Sequence, residues 1–298
     1  MKRGFAWRPV PTIFSTTMCF LITGLIFLVV GAVLIYMTSN IKEFVIRYDN
    51  LQNCAESQNT TNNKCEIEII LKDTYYPPVM VYYQLENFYQ DHRRYIKSKS
   101  LNQLKGQNLT ISEITNECDP IITVRDLGLS KSVGGFELND SDIANPCGLI
   151  AKSLFNDTYG VSMGGIPIFI NETNIAWDSD LKGRYKNGYN WTYTQWTDVE
   201  NEHFMVWMRP AGLPDFRKLW GRINTRLDPG SYKIEINNNF PVSDFDGKKS
   251  FVLSTVNIFG GKNNFLGIAY LVVGFICLIM ALLFWVGYKN YNLDKKLN

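Results

Sequence analysis

The sequence predicts a two-span membrane protein with a mostly antiparallel β-sandwich ectodomain that carries short helices. Two long apolar stretches, residues 14–37 and 265–288, lie near the two ends of the 298-residue chain. The segment between them contains six N-x-S/T sequons and four cysteines, which is typical of a lumenal or extracellular domain. Short alternating stretches in the same segment indicate strands separated by turns.

The composition is that of a folded chain. Apolar residues make up 46% of the sequence and aromatic residues 14%, more than disordered segments contain. Glycine and proline, at 22 and 11 residues, are too few for a fibrous or low-complexity protein. The net charge of +2 is uninformative by itself because the charges are spread unevenly, and no nucleic-acid partner is expected.

Each apolar stretch is long enough to cross a bilayer. As a helix, 24 residues extend about 36 Å, against a hydrocarbon core of about 30 Å. A buried helix of a soluble protein is also apolar all round, but two of them at the two chain ends favour membrane spans. The first stretch exceeds the roughly 7–15 apolar residues of a signal peptide and lacks a small-residue cleavage site. We interpret it as an uncleaved anchor.

The flanking charges predict the topology. Lys2, Arg3 and Arg8 precede the first span, whereas the charges that follow it nearly cancel, so the N-terminus is expected in the cytosol. Two spans return the C-terminus to the same side. The predicted domains are a cytosolic tail (1–13), a first span (14–37), an ectodomain (38–264), a second span (265–288) and a cytosolic tail (289–298).

The ectodomain cysteines and sequons are the candidate modification sites. The cysteines are Cys54, Cys65, Cys118 and Cys147, and the sequon asparagines are Asn59, Asn108, Asn139, Asn156, Asn171 and Asn190. Four cysteines allow three disulfide connectivities, of which sequence proximity favours Cys54–Cys65 with Cys118–Cys147. Zinc is the weaker alternative because the chain has no C-x-x-C pair and only two histidines. No metal or cofactor is expected.

Small residues recur at intervals of seven in both spans. They are Thr17, Gly24, Gly31 and Thr38 in the first span and Gly267, Gly274 and Ala281 in the second. This spacing keeps them on one helix face, where another helix can approach closely. Glycine is common in membrane helices, so chance is the alternative. We predict that the two spans pack on each other or on helices of a partner.

Periodicity assigns the ectodomain elements. Strands are predicted at residues 66–69, 79–83, 204–208, 232–236 and 251–258. An apolar stripe at helical spacing over residues 85–96, and another over 216–223 with Asp215 as its cap, predict two helices. Residues 98–145 are polar and are predicted to be loops. These elements together indicate the antiparallel β class.

No segment has the pattern of a catalytic site. G-x-S-x-G occurs at residues 160–164, but a helix must follow the nucleophile Ser162, and Gly165, Ile166 and Pro167 do not start one. His203 is the one histidine downstream of Ser162. Asp178 with Asp180, and Glu200 with Glu202 and His203, fit ordinary loops and strand ends as well as catalytic or metal sites. The segment at residues 246–250 lacks the Walker spacing. We expect no enzyme.

Several long motifs, in order, carry a resemblance to a known family. They are RPVPT (8–12), IRYD (46–49), YYQLENFYQDHRRY (82–95), NPCGLIAKSLFNDTY (145–159), IAWDSD (175–180), FMVWMRPAGLPDFRKLWGRI (204–223), GSYKIEINNNFPV (230–242) and KKSFVLSTVNIFGGKNNFLGIAYLVVG (248–274). With these motifs the chain resembles the ligand-effect-modulator family, the accessory β-subunits of lipid flippases, along nearly its whole length. Many members have more ectodomain cysteines than this sequence.

The resemblance implies a non-catalytic subunit that forms a heterodimer with a type IV P-type ATPase. Such pumps move phospholipids to the cytosolic leaflet, and the subunit accompanies them from the endoplasmic reticulum to the Golgi, endosomes or plasma membrane. It is also required in their phosphorylation cycle. Membrane lipids are the other expected partner. The sequence lacks a D-K-T-G phosphorylation motif, so ATP and lipid would be handled by the pump.

Two other classes share parts of this pattern. A two-span ligand-gated channel subunit has the same topology and would form homo-oligomers. An ectoenzyme anchored at both ends would hydrolyse a substrate through Ser162 or His203.

Overall fold

The computed structural model describes residues 12–51, 54, 63–258 and 260–297, with side chains described up to residue 290. The chain forms two compact units. One comprises both chain ends, Met1–Lys42 and Val256–Asn298, and the other is the ectodomain, Glu43–Thr255.

The secondary structure consists of two long terminal helices, eight strands and short helices within the described residues. The helices are α1 (Ile13–Ser39), α2 (Arg93–Lys97), α3 (Leu101–Leu104), α4 (Ile111–Cys118), α5 (Val124–Leu127), α6 (Leu149–Lys152), α7 (Asp178–Leu181), α8 (Trp191–Thr194), α9 (Glu202–Trp207) and α10 (Phe265–Leu297), with a 3₁₀-helix at Ser243–Phe245. The strands are β1 (Glu43–Arg47), β2 (Lys64–Leu71), β3 (Val79–Glu86), β4 (Thr158–Met163), β5 (Ile166–Ile168), β6 (Phe216–Ile223), β7 (Gly230–Asn237) and β8 (Lys248–Thr255).

The terminal helices have the length and composition of membrane spans. Ile13–Ser39 and Phe265–Asn290 are strongly apolar, yet most of their side chains are exposed within the chain. A helix from the core of a soluble protein would instead be largely buried. The start of α1 is defined by a capping box, in which Thr12 and Ser15 each accept a hydrogen bond from the other's backbone amide. The chain is an integral membrane protein.

The ectodomain is a sandwich of two antiparallel four-stranded sheets. The first has the order β1-β8-β3-β6 and the second β2-β7-β4-β5. Burial alternates along β2, β3 and β7, so each sheet presents one apolar face. Both faces contribute to a single core, which includes Ile67 and Ile234 from the second sheet and Val81 and Leu253 from the first. The predicted class, two spans with an antiparallel β ectodomain and short helices, is confirmed.

The predicted helix at residues 216–223 is wrong, because this segment is strand β6. Tyr82 and Val81 are adjacent, but they pair with Leu219 and Gly221, so Trp220 is an extra residue in β6. The bulge shifts the inward positions by one residue. An alternating strand thereby acquires apolar spacings of three and four, which resemble those of a helix.

Three further expectations are also corrected. Residues 204–208, predicted as a strand, lie mostly in α9, where the Asn201 side chain caps the helix by accepting from the His203 amide. A short apolar run does not distinguish a buried strand from a buried helix.

The predicted helix at 85–96 forms only as α2, because Asn87 takes a left-handed conformation with φ 64° where β3 ends. Residues 98–145, predicted as loops, contain three helices, α3, α4 and α5.

Candidate functional site

The small residues at intervals of seven lie between α1 and α10. The buried residues of α1 are Thr17, Gly24, Gly31 and Thr38. A Cβ added to Gly24 would lie 3.0 Å from the carbonyl oxygen of Gly274, and one added to Gly31 would lie 3.0 Å from that of Gly267. Ala281 is also buried. In this pair the two backbones approach closely, as small residues permit.

The outward faces of the two spans are apolar and uncovered within the chain. Val29 and Tyr36 in α1 and Phe265 and Leu282 in α10 are each more than 60% exposed. The sequence between residues 13 and 39, and between 265 and 288, contains no Asp, Glu, Lys, Arg or His. These faces suit lipid chains or apolar helices of another protein.

The ectodomain contains two disulfides. Cys54 bonds to Cys65 and Cys118 to Cys147, the pairing that sequence proximity favours. Cys54–Cys65 closes a loop of 11 residues at the start of β2. Cys118–Cys147 lies within a small second core beside Ile114 and Ala144. The disulfide therefore adds stability to the region of short helices, whose hydrophobic core is small.

The sequon asparagines lie at the surface of the ectodomain. Asn108, Asn139, Asn156 and Asn190 are exposed, and Asn171 is half-buried. Asn171 forms an Asx turn, in which its side-chain oxygen accepts from both the amide and the hydroxyl of Thr173. Asn59 lies outside the described residues. Glycosylation at these positions remains a prediction.

A buried ion pair joins the two sheets. Lys249 of β8, in the first sheet, and Asp157, which precedes β4 of the second, are both fully buried. The Lys249 ammonium lies 2.8 Å from the Asp157 carboxylate and also donates to the Asn238 side chain and the Phe240 carbonyl oxygen. Each proton of the ammonium has an acceptor. This saturation is what allows a charge pair to persist in a core.

The carboxylate of Asp157 is saturated as well. One oxygen accepts from the backbone amides of Asn239 and Phe240, each at 2.6 Å. The other accepts from Lys249 and from the Tyr48 hydroxyl, at 2.6 Å. Burial raises the pKa of Tyr48 well above its usual value, so its hydroxyl keeps the proton that it donates. Tyr159 in turn donates to the Tyr48 oxygen, 2.8 Å away.

Sequence reasoning missed this cluster. Its members lie in four separate segments, and a lysine beside Lys248 at the start of a strand is normally solvated. A weak signal existed, because Lys249 lies two and four residues before Phe251 and Leu253, which belong to the core, and therefore on the same face of β8. The partner of such an inward lysine cannot be identified without the fold.

A second inward lysine, Lys218 of β6, caps α9. Its ammonium donates to the carbonyl oxygens of Val206, Trp207 and Arg209, at 3.0, 3.0 and 2.6 Å. These oxygens lie at the C-terminal end of the helix, where they lack intrahelical partners. Burial lowers the pKa of Lys218 to about 7. Like Lys249, it was not identified from the sequence.

The residues tested for nucleophilic catalysis are not arranged as an active site. Ser162 lies in β4, and the glycines that follow it form the turn into β5, so a strand stands where a nucleophile elbow requires a helix. His203 contacts Glu172 at 2.8 Å and stacks on Trp220 at a centroid distance of 3.9 Å.

The acidic candidates also have structural partners. Glu202 accepts from the backbone amides of Asn174, Ile175 and Ala176, and Glu200 from that of Asn187. Asp180 is buried and bonds to Arg209 at 2.5 Å, whereas Asp178 pairs with Lys182 at the surface. Among the described residues no three His, Cys, Asp or Glu side chains form a group that could hold a metal ion.

Comparison with known proteins identifies a family. The model of the LEM3 (ligand-effect modulator 3) family / CDC50 family matches residues 34–292. The chain is 37% identical to "ALA-interacting subunit 3" of Arabidopsis thaliana, over 95% of this chain and 82% of that protein. It is 34% identical to "Cell cycle control protein 50A" of Mus musculus (96% and 86%) and 30% identical to "Phospholipid-transporting ATPase accessory subunit CRF1" of Saccharomyces cerevisiae (96% and 82%).

Proposed function

The chain belongs to the LEM3/CDC50 family, and on that basis we propose that it is the non-catalytic β-subunit of a phospholipid-transporting type IV P-type ATPase. The observation that carries the proposal is the similarity along nearly the whole chain to a relative named as an accessory subunit of such a pump. The candidate catalytic residues make local contacts: Ser162 pairs within β4 and β5, His203 contacts Glu172, and Glu202 accepts from the Asn174 amide.

The two units of the chain would have different tasks. The apolar outward faces of α1 and α10 would contact membrane helices of the pump. The seam between the two helices, formed by Thr17, Gly24, Gly31, Gly267, Gly274 and Ala281, would hold those faces in a fixed relative orientation. The ectodomain would cover the pump's short outer loops and help the complex to reach a geometry that can be phosphorylated. The tails, residues 1–13 and 289–298, would contact the pump's cytosolic domains. Residues 1–11 and 298 lie outside the described residues.

The subunit would also act as a chaperone for the pump's exit from the endoplasmic reticulum. Both termini would be cytosolic and the ectodomain lumenal or extracellular, in agreement with the basic residues before the first span, the disulfides and the sequons. The complex would then function in the Golgi, endosomes or plasma membrane.

The test is mass spectrometry of the proteins that co-purify with the tagged full chain in mild detergent. We expect a near-stoichiometric large P-type ATPase. A tagged, unrelated two-span protein prepared in the same way is the control for non-specific recovery. A homo-oligomer without any pump would contradict the proposal and favour a channel subunit, for which current in the absence of a pump would be the next measurement. Hydrolysis that is lost in Ser162→Ala would favour an ectoenzyme.

A further inference from the structure

A cleft of the ectodomain lies among its short helices. It has a volume of about 710 Å³, within the range of about 300–1,000 Å³ typical of ligand sites. Its walls come from three segments, residues 103–114, 137–145 and 189–194.

Two sequon asparagines line the cleft. Asn190 lies at the start of α8 in a left-handed conformation with φ 53°, and Asn108 lies on the segment between α3 and α4. Both asparagines are exposed. An oligosaccharide attached to either one would therefore begin at the wall of a cleft that is large enough for several sugar rings.

Exposed aromatic rings flank Asn190. Tyr189 is 86% exposed and Tyr193 52% exposed, and both line the cleft. Tyr193 stacks on Phe136 with the ring centroids 4.1 Å apart, which fixes its orientation. The segment that carries Tyr193 is fixed in turn, because the Gly134 amide donates a hydrogen bond to the Thr192 carbonyl oxygen at 2.9 Å. Burial within the chain does not account for these rings.

The chemistry of the walls suits a carbohydrate. One face of a pyranose ring carries C–H groups that pack on an aromatic ring, while its hydroxyls require hydrogen-bond partners. Tyr189 and Tyr193 offer the aromatic faces, and Gln107, Glu137 and Ser141 offer amide, carboxylate and hydroxyl groups around the same space. This combination of stacking and polar groups differs from the purely apolar walls that a lipid chain would select.

We propose that the N-glycan attached to Asn190 folds back into this cleft, with its first sugar rings on Tyr189 and Tyr193. In its attachment the Asn190 amide nitrogen forms a bond to the anomeric carbon of a lipid-linked oligosaccharide and loses a proton, while the lipid diphosphate departs as the leaving group. The glycan then connects α8 to the segments that face it across the cleft. The proposal depends on the lumenal placement of the ectodomain proposed above.

The test measures how fast each glycan is released from the folded full chain. The chain is produced in a eukaryotic host and treated with a peptide N-glycosidase without denaturant, and site-resolved mass spectrometry follows each asparagine. We expect release at Asn190 to be roughly tenfold slower than at Asn156, which is exposed and does not line the cleft, since one or two stacking contacts must first open. Tyr189→Ala with Tyr193→Ala should abolish that difference and leave release at Asn156 unchanged.

The sequon provides a matched pair of variants. Thr192→Ser keeps the N-x-S sequon and should keep both the glycan and the thermal unfolding midpoint, whereas Thr192→Ala removes the glycan and should lower that midpoint. An unoccupied Asn190 on a chain with other sequons occupied would overturn the proposal and leave the topology intact. Release at Asn190 as fast as at Asn156 would overturn it as well. If every described sequon were unoccupied, the lumenal placement would fail with it.

Discussion

The membrane helix pair and the ectodomain core are stabilised by opposite means. Between α1 and α10 the contact depends on the absence of side chains, because glycines let the two backbones approach closely. A Cβ added to Gly24 would lie only 3.0 Å from the Gly274 carbonyl oxygen. In the ectodomain the two sheets are joined by added polarity, the ion pair of Lys249 and Asp157 with its hydrogen-bonded tyrosines. A hydrophobic effect is available to the ectodomain core but absent between helices in lipid.

This difference determines how each region tolerates change. A buried charge that loses its partner stays desolvated, so the ectodomain is sensitive to losing one group of a pair. A helix seam in lipid is sensitive to gaining atoms, because it has no space for them. Substitutions that remove a buried charge and substitutions that fill the helix seam therefore test this contrast.

Removing the charge of Lys249 should have the largest effect. In Lys249→Met the Asp157 carboxylate remains buried without its cation, which typically destabilises a protein by about 3–5 kcal/mol. We expect loss of folded chain, measured as the thermal unfolding midpoint of the purified full chain and as its retention in the endoplasmic reticulum. The tryptophan fluorescence of the ectodomain reports the unfolding.

The adjacent lysine provides the control. Lys248 is half-exposed and pairs with Glu86 at 3.2 Å, so Lys248→Met should cost less than about 1 kcal/mol. Equal losses of stability at the two positions would show that the buried cluster contributes no more to folding than the surface ion pair does.

Loss of either disulfide should have the next largest effect. Replacing a cysteine pair with serine typically costs about 2–4 kcal/mol. The loop closed by Cys118–Cys147 spans 29 residues and that closed by Cys54–Cys65 spans 11. Chain entropy makes the longer loop worth about 0.9 kcal/mol more. Unfolding midpoints of the two double variants measure this order, and a larger loss for Cys54–Cys65 would contradict the entropic account.

Filling the seam should have an intermediate effect, limited to the membrane unit. A Cβ on Gly274 would lie 3.0 Å from Leu28 and 3.1 Å from the Gly24 carbonyl oxygen, so Gly274→Leu should destabilise the helix pair by about 1–3 kcal/mol. We expect less co-purified pump per chain and an unchanged unfolding midpoint for the ectodomain. Gly287→Leu is the control, because nothing lies within 4 Å of an added Cβ there. Unchanged pump recovery from Gly274→Leu would remove the seam from the proposed function.

The same contrast explains how much was predictable from the sequence. The spans are long, uniform and defined by local composition, and the predicted stretches 14–37 and 265–288 lie within α1 and α10. The class of the ectodomain followed from its alternating segments. Its details did not, because the bulge at Trp220 gives a strand the spacing of a helix, and the roles of Lys218 and Lys249 depend on groups distant in sequence.

The pH dependence of stability tests the second buried lysine, and its effect per pH unit should be the smallest of these changes. The pKa of Lys218 is about 7 in the folded chain and near 10.5 in the unfolded chain. Between these values the unfolded chain binds the additional proton, so stability should rise with pH by up to about 1.4 kcal/mol per unit. Below about pH 7 both states are protonated and this contribution to the slope disappears.

The measurement is the difference in unfolding midpoint between the natural chain and Lys218→Met at pH 6, 7, 8 and 9. Methionine keeps the apolar stem and removes the titrating group, so other titrations cancel in the difference. Lys248→Met, at the exposed neighbour of Lys249, should leave the slope unchanged. A flat difference for Lys218→Met would mean that the three carbonyl oxygens at the end of α9 hold the ammonium charged. In that case the ectodomain would contain two buried cations, each stabilised by its own set of oxygen atoms.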